Sequence, residues 1–302
     1  MAVNSGEQPQ GRVSAGRAHA ARKAPLANLL VERGHFESVE EARRWVMAGQ
    51  VLVNGSPLDK PGMPVPCDAT LRVRGRTRFA SRGGYKLQAA LDHFAVPVAG
   101  QVALDCGAST GGFTDCLLQH GAALVYAVDV GFGQLVGRLQ ADPRVRNLER
   151  TNLGDLSPDR LAPPPVLVTL DLSYLSLTQA LPIASGLLAP PLQTPDQAVP
   201  GRVLALVKPL FEVSSGVARR TGQIDDPALL AEALSRVLTA GAACGLAPQG
   251  IAKLALRPRH GVHEFFISFI QRAGPITVSY DDTALQATIA SPGIGPLKED
   301  EE

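Results

Sequence analysis

The sequence predicts an α/β fold, an open Rossmann-like sheet with helices on both faces, preceded by a small α+β unit. Short apolar runs recur from Val102 onward, and each closes on a polar side chain, the habit of buried parallel strands. The first run leads into a glycine-rich turn and then into helical spacing; strand, turn and helix in that order open a ligand crevice in such sheets. The first 84 residues differ in pattern and in charge, with short helices and strands and a basic balance.

Bulk properties bound the function. A chain of 302 residues has room for one large domain and one small one. The net charge of +1 is unevenly spread: residues 1–84 hold 13 Lys/Arg against 7 Asp/Glu, a local +6, and the rest holds 16 against 21, a local −5. A basic module on an acidic body points to a polyanionic partner. Cys67, Cys106, Cys116 and Cys244 lack C-x-x-C spacing, which argues against a disulfide framework or zinc site and for reduced thiols in a cytoplasmic protein without metal. The opening segment MAVNSGEQPQGRVSAGRAHAARK has no apolar core of a secretory signal. Leu172–Pro195 is free of charge, but Pro182, Pro190, Pro191 and several Ser, Thr and Gln exclude a membrane span.

In chain order, residues 1–24 read as a disordered tail, 25–80 as the small unit, 81–275 as the sheet domain and 276–302 as an irregular acidic tail. Leu26, Leu29, Leu30 and Val31 share a helix face that Gly34 can end. Ser38 with Glu41 is a capping box opening a second helix, Val39–Ala48, which Gly49 closes. Val51–Gly55 reads as a strand entering a turn, and Leu71–Arg74 as a further strand. Residues 75–86 form a basic linker whose Arg76, Arg78 and Arg82, beside Gly83-Gly84, suit a flexible joint touching phosphate. A helix starts at Lys86. Strands follow at Val102–Asp105, Leu124–Asp129, Val166–Asp171, Arg202–Lys208, Ile251–Ala255 and Glu264–Gln271, with a crossover led by Asn147–Asn152 and a helix over 226–243.

The run E-E-A-R-R…A-G-x-V-x-V-N-G within residues 30–55 resembles the S4 RNA-binding module. The resemblance implies that Arg33, Arg43 and Arg44 face phosphates. The usual R-L-D-x-L-L opening is replaced by Pro25-Leu-Ala-Asn-Leu-Leu30.

The chemistry gathers at one edge. Asp105, Asp129, Asp171 and Lys208 each end a strand, and in a doubly wound sheet these ends line the ligand crevice. The glycines are spaced G-x-x-x-G-G, and Asp105 precedes them, where it repels a pyrophosphate but suits a cationic amino-acid moiety; S-adenosylmethionine is favoured over NAD. Asp129 is placed to take ribose hydroxyls. Lys208, between an apolar strand and Pro209, is expected to be partly desolvated, which favours its neutral, basic form; Lys86 adds like-charge repulsion, while Asp171 opposes both and fixes orientation. Glu264 can hold one lysine or the substrate hydroxyl. Such a cluster can deprotonate a sugar hydroxyl in line with a sulfonium methyl, with no metal.

The order K…D-C-G-A-S-T-G-G-F…D-V…D-L-S-Y-L-S-L…V-K-P-L-F-E…G-V-H-E-F-F is similar to the FtsJ-like ribose 2′-O-methyltransferases, and with an S4 module in front the chain resembles the TlyA family, some members of which carry a haemolysin label. The resemblance implies a class I methyltransferase sheet; a Lys86, Asp171, Lys208, Glu264 tetrad with Lys208 as base; and Asp105, Gly107, Ser109, Gly111, Gly112 and Phe113 along the methionine part of S-adenosylmethionine, with Asp129 on its ribose. It implies a cytidine of ribosomal RNA, in the 16S or 23S molecule or both, as substrate. Val262-His263 stands where Gly-Asn is expected before the acid. His263 reads as a packing or surface residue, and Ser109 and Ser173, outside any G-x-S-x-G elbow, as hydrogen-bonding rather than nucleophilic groups. Arg219, Arg220 and Lys253 read as solvated cations. A silent RNA-binding assembly factor is the alternative, with no reason to keep four such residues at strand ends. A membrane-active protein lacks an apolar span to support it.

Overall fold

The computed structural model describes residues 22–33, 35–36, 38–75, 78–190, 200–213, 224, 226–255 and 263–295, which fall into two units divided at Arg76/Thr77. Gly34, Arg76, Arg219 and Arg220, singled out above, lie outside the described residues.

The first unit is built from β1 (Lys23–Pro25), α1 (Leu26–Glu32), α2 (Val39–Met47), β2 (Val51–Val53), β3 (Ser56–Pro57), β4 (Pro64–Pro66) and β5 (Leu71–Val73). The capping box forms as expected: the Glu41 N–H donates to Ser38 Oγ at 3.2 Å, and Glu40 and Glu41 sit in the first turn where the helix end is positive. Asn54 and Gly55, both at positive φ, turn β2 into β3, and β2 also pairs with β5. Leu26, Leu30, Phe36, Ala42, Val46 and Val51 make a core drawn from this unit's own residues.

The second unit carries a seven-stranded sheet. Its elements are α3 (Gly83–His93), β6 (Val102–Cys106), α4 (Gly112–Gln119), β7 (Leu124–Val128), α5 (Gly137–Gln140), β8 (Val145–Leu148), β9 (Leu167–Leu170), α6 (Leu177–Leu187), β10 (Arg202–Val207), α7 (Pro209–Glu212), α8 (Pro227–Ala243), β11 (Leu246–Lys253), β12 (Phe265–Gln271) and α9 (Asp282–Ala290). The strand order is β11-β12-β10-β9-β6-β7-β8. Strands β8 to β10 run parallel, and β12 is inserted antiparallel between β10 and β11. The chain moves outward one way from β6 and the other way from β9, so the switch point lies between those two central strands. Both faces are covered. Val203, Ala205 and Val207 of β10 enter the core under α6 and α8, while Leu204 and Leu206 enter the core under α3 and α4. That double burial explains why the strands read as unbroken apolar runs.

Three expectations are corrected. The segment Asn147–Asn152, expected to lead a crossover, opens inside a strand: Val145–Leu148 is the outermost parallel strand, short and polar enough to escape the apolar-run signal, and the crossover to β9 starts after it. The charge-free stretch after Leu172 contains α6, capped by Ser176 and carrying Pro182 within it. The tail beyond 276 is not irregular throughout: Asp281 caps α9, Leu285 and Ile289 are buried, and Ile294 bridges to Leu254 beyond the outer strand β11.

The third correction concerns the linker. Its residues 78–82 are packed, and the helix begins at Gly83 rather than Lys86. The Ala80 N–H donates to Asp115 Oδ2 at 2.8 Å, the Arg78 N–H to the Tyr85 hydroxyl at 2.9 Å, and Phe79 is buried against Tyr85. The glycine pair therefore serves close approach rather than flexibility. A Cβ on Gly84 would lie 2.3 Å from both Cβ and Cγ of Phe79.

We expect Gly84→Ala to lower stability by about 1–3 kcal/mol through overpacking, outweighing the roughly 1 kcal/mol that alanine gains over glycine inside a helix. Urea unfolding of the full chain checks this; an unchanged or raised midpoint would count against the close approach.

Candidate active site

Four strand ends of the second unit meet at the C-terminal edge of the sheet. Gly107, directly after β6, has φ +89°, and a Cβ there would fall 2.2 Å from the carbonyl oxygen of Asp171, directly after β9. Only glycine allows this approach. The Asp171 N–H donates to Cys106 O at 3.0 Å, so the two strands stay hydrogen-bonded to the point where they part.

On one side of that point the edge is charged and alternating. Lys208 Nζ lies 2.6 Å from Asp171 Oδ1 and donates to Ser173 Oγ at 2.9 Å. Lys86 Nζ lies 2.9 Å from Glu264 Oε1 and 2.6 Å from Oε2. Val207 of β10 pairs with Phe265 of β12, and the same register carried one residue further sets Lys208 opposite Glu264. The edge therefore reads Lys86, Glu264, Lys208, Asp171. These side chains are 22%, 19%, 17% and 22% exposed, low enough to strengthen their mutual fields and high enough for a ligand to reach them. All four residues that the sequence reading grouped are thus brought to one edge. The segment carrying Asp171 and Ser173 is anchored further on: buried Glu212 in α7 accepts from Ser176 Oγ at 2.6 Å and from the Leu177 N–H at 2.9 Å.

On the other side stands Asp129, directly after β7. Its Oδ2 accepts from the Ser109 N–H at 2.8 Å and its Oδ1 from the Gly131 N–H at 2.7 Å. Ser109 adopts φ +48° to make this contact, and its hydroxyl reaches Gln134 Oε1 at 3.3 Å. Glu149 accepts from the N–H groups of Gly133, Gln134 and Leu135, which hold its carboxyl below the usual carboxylate range and shape the loop beside Asp129.

The remaining turn residues face inward. Asp105 is fully buried, and its two oxygens accept from the hydroxyls of Thr114 at 2.7 Å and Thr169 at 3.1 Å. Burial raises its carboxyl to about 7, the threonines pulling it back and the charge of Asp171 adding to the rise. Phe113 is buried and stacks on Phe266, and a Cβ on Gly111 or Gly112 would meet Leu139 or Ser81. These four residues hold the turn from behind. The placement of Asp105 corrects the expectation of a ligand-lining carboxylate: the apolar strand that carries it also draws it one residue below the open edge.

Among the proposed phosphate-facing arginines, Arg43, Arg44, Arg78 and Arg82 are exposed. Arg33 instead directs Nη1 to the carbonyl of Ala69 at 2.6 Å and Nη2 to that of Cys67, closing the first unit's own loop. His263 is half-buried beside Glu264, and Lys253 donates to Ile289 O at 2.8 Å rather than standing solvated.

Sequence reading missed Glu212, Gln134 and the buried Asp115, which forms a bidentate ion pair with Arg138. The partners that give these residues their places lie far away in the chain, so local spacing alone does not reveal those roles. It also missed three exposed aromatics on segments leaving this edge: Phe132 after β7, with the Arg150 guanidinium 3.9 Å above its ring; Tyr174 after β9; and Phe211 after β10. Among the described residues there is no cluster of His, Cys, Asp and Glu suited to a metal, and no helix long and apolar enough to cross a membrane.

Known proteins are similar to this chain. The FtsJ-like methyltransferase family matches residues 79–270, and the S4 domain matches residues 25–67. YqxC of Bacillus subtilis, provisionally named an rRNA methyltransferase, is 41% identical over 82% of this chain and 85% of its own. The 16S/23S rRNA (cytidine-2′-O)-methyltransferase TlyA of Mycobacterium tuberculosis is 39% identical over 82% of this chain and 90% of its own. A solved Streptococcus thermophilus protein, provisionally named a hemolysin, superposes with a TM-score of 0.64 at 34% identity, covering 90% of this chain and 96% of its own. The sheet order and the family match over residues 79–270 define the class of a methyltransferase with a doubly wound sheet. The chain belongs to the FtsJ-like methyltransferase family, in the TlyA-type branch that joins an S4 domain to the catalytic sheet.

Methyltransferases of this class use S-adenosylmethionine, and the residues present fit it. Asp129 stands where a ribose diol can share its carboxylate oxygens. Asp129 and Asp171 flank a turn free of side-chain bulk at Gly107, a setting suited to a cationic ligand portion and hostile to a pyrophosphate.

Because Asp105 is raised in the fold from its ordinary 3.8 to about 7, the unfolded chain loses that proton first, and stability drawn from this site falls as pH rises between those values. Asp105→Asn removes the titration. The melting temperature of the variant relative to the parent is expected to rise from pH 4 to pH 7; a constant difference would refute the assignment.

Proposed function

We propose that this chain transfers a methyl group from S-adenosylmethionine to the ribose 2′-hydroxyl of a cytidine in ribosomal RNA. The observation that carries the reading is the alternating Lys86, Glu264, Lys208, Asp171 edge beside a glycine turn and Asp129. The activity named for the M. tuberculosis relative, at 39% identity, supports the same chemistry and the cytidine target in 16S and 23S rRNA.

When bound, the cofactor would supply an electrophilic methyl carbon on a sulfonium, whose carbon–sulfur bond breaks to give a neutral thioether. Asp129 holds its ribose; Ser109 and Gly107 border its amino-acid portion, with Asp105, Gly111, Gly112 and Phe113 supporting the turn. Lys208, in its neutral form, accepts the proton of the 2′-hydroxyl at Nζ as the O–H bond breaks and the O–C bond forms. Asp171 orients that amine and stabilises the ammonium it becomes. Glu264, opposite Lys208 and paired with Lys86, keeps the local charge balanced so that the extra proton is tolerated. Orientation and proton removal together supply the acceleration.

Exposed Arg43 and Arg44 on α2, with Arg78 and Arg82 in the second unit, are proposed to meet phosphates, and Arg76 is proposed from its place in the linker. Arg33 contributes through the loop it closes. The exposed rings of Phe132, Tyr174 and Phe211 offer faces on which bases turned out of a folded RNA can stack.

The test uses radiolabelled S-adenosylmethionine with unmodified small and large ribosomal subunits. Label resistant to alkaline cleavage at a cytidine is expected, reduced about 10²–10⁴-fold by Lys208→Ala with RNA affinity retained. Retained cofactor and RNA binding with no label in either subunit would overturn the reading in favour of a binding factor.

A further inference from the structure

We propose that Ser173 is a positioning residue that aims the lone pair of Lys208 at the substrate hydroxyl; the inference rests on the reading of Lys208 as the base. A neutral lysine amine carries two hydrogens and one lone pair, and rotation about Cε–Nζ leaves the direction of that lone pair undefined. A base is useful only when the lone pair points at the proton to be removed. Here Nζ donates a hydrogen bond to Ser173 Oγ at 2.9 Å and is ion-paired with Asp171 Oδ1 at 2.6 Å, both on one short segment. The hydrogen bond to Ser173 sets the rotation about Cε–Nζ, and the charge of Asp171 favours an N–H over the lone pair on its side, so the remaining tetrahedral direction is the lone pair's. The ion pair, which leaves Asp171 Oδ1 outside hydrogen-bond geometry, does not fix that rotation by itself, so Ser173 converts a held lysine into an aimed one.

The segment is built to keep both acceptors in place. At its start, the Asp171 N–H is bonded to Cys106 O, and the Asp171 carbonyl presses on Gly107. At its end, Ser176 Oγ and the Leu177 N–H donate to Glu212, a buried carboxylate four residues after Lys208. Segment 171–177 is therefore pinned to the end of β6 at its start and to Glu212 of segment 208–212 at its end, with the Lys208 amine beside Asp171 and Ser173. When the proton arrives, Nζ keeps its hydrogen bond to Ser173 and its ion pair with Asp171, and the new N–H occupies the direction from which it came. Nothing in the site has to reorganise.

The test compares parent, Ser173→Ala, Ser173→Thr and Lys208→Ala in the full chain, measuring kcat, KM for ribosomal subunits and S-adenosylmethionine affinity by calorimetry. Ser173→Ala is expected to lower kcat by about 10²-fold, the scale of a misaimed reacting group, with KM and cofactor affinity unchanged. Ser173→Thr, which keeps a hydroxyl at the same carbon, is expected to restore most of kcat. A Ser173→Ala enzyme at parental kcat, or one whose loss lies in KM or cofactor affinity, overturns the proposal while the function stands if Lys208→Ala is inactive. Failure of threonine to restore kcat also overturns it. Undiminished transfer by Lys208→Ala overturns the parent reading and this inference with it.

Discussion

At the contact of Gly107 with the carbonyl of Asp171, two neighbouring parallel strands leave the sheet toward opposite faces with no side chain between them. After β6 the chain turns to α4, whose Phe113, Cys116 and Leu117 fill one core; after β9 it turns to α6, whose Leu177, Ala180 and Leu181 fill the other. That divergence makes the crevice. Gly107 meets it with a positive φ and an empty Cβ position, and the rest of the site takes its place from there: Ser109 and Asp129 on the β7 side, Asp171, Ser173 and Lys208 on the β10 side.

Electrostatics follow from the strand order. Inserting β12 antiparallel beside β10 brings the start of one strand next to the end of the other, and so sets an acid, Glu264, opposite Lys208. An all-parallel neighbour would have brought a strand end there instead. The result is two amines and two carboxylates in alternation, each about one-fifth exposed, where the proton that Lys208 takes up brings the row toward neutrality rather than building a concentrated charge. Uncharged Thr114 and Thr169 serve the interior carboxylate Asp105, which sits beneath this row without joining it. Burying an acid in this way stabilises the turn through hydrogen bonds and makes its ionisation costly.

Polar residues that do not touch the edge keep it in register. Glu212 ties α7 to the start of α6; Glu149 organises three N–H groups beside Asp129; Asp115 joins the packed segment before α3 to Arg138 of α5. Each is a carboxylate satisfied by several donors, which suits a part that must hold its shape. The first unit repeats the device with opposite charge, spending Arg33 on two carbonyls of its own loop while leaving Arg43 and Arg44 outward.

Much of this was legible in the chain. Period and composition placed β6, β7, β9, β10 and β12, because strands buried on both faces must be apolar throughout, and strand-end polarity singled out Asp129, Asp171 and Lys208. The Ser38–Glu41 cap could be read because its two partners are three residues apart. What the chain could not show is everything decided by neighbours distant in sequence: that Asp105 points into the core and Asp171 out of it, that Gly84 is pressed by Phe79 rather than hinged, that β8 is a strand and α9 a helix, and that Ser173 is an acceptor for Lys208. Local periodicity reports which face a residue prefers. Only packing decides which partner it meets there, because burial, strand register and hydrogen-bond direction are properties of two segments at once.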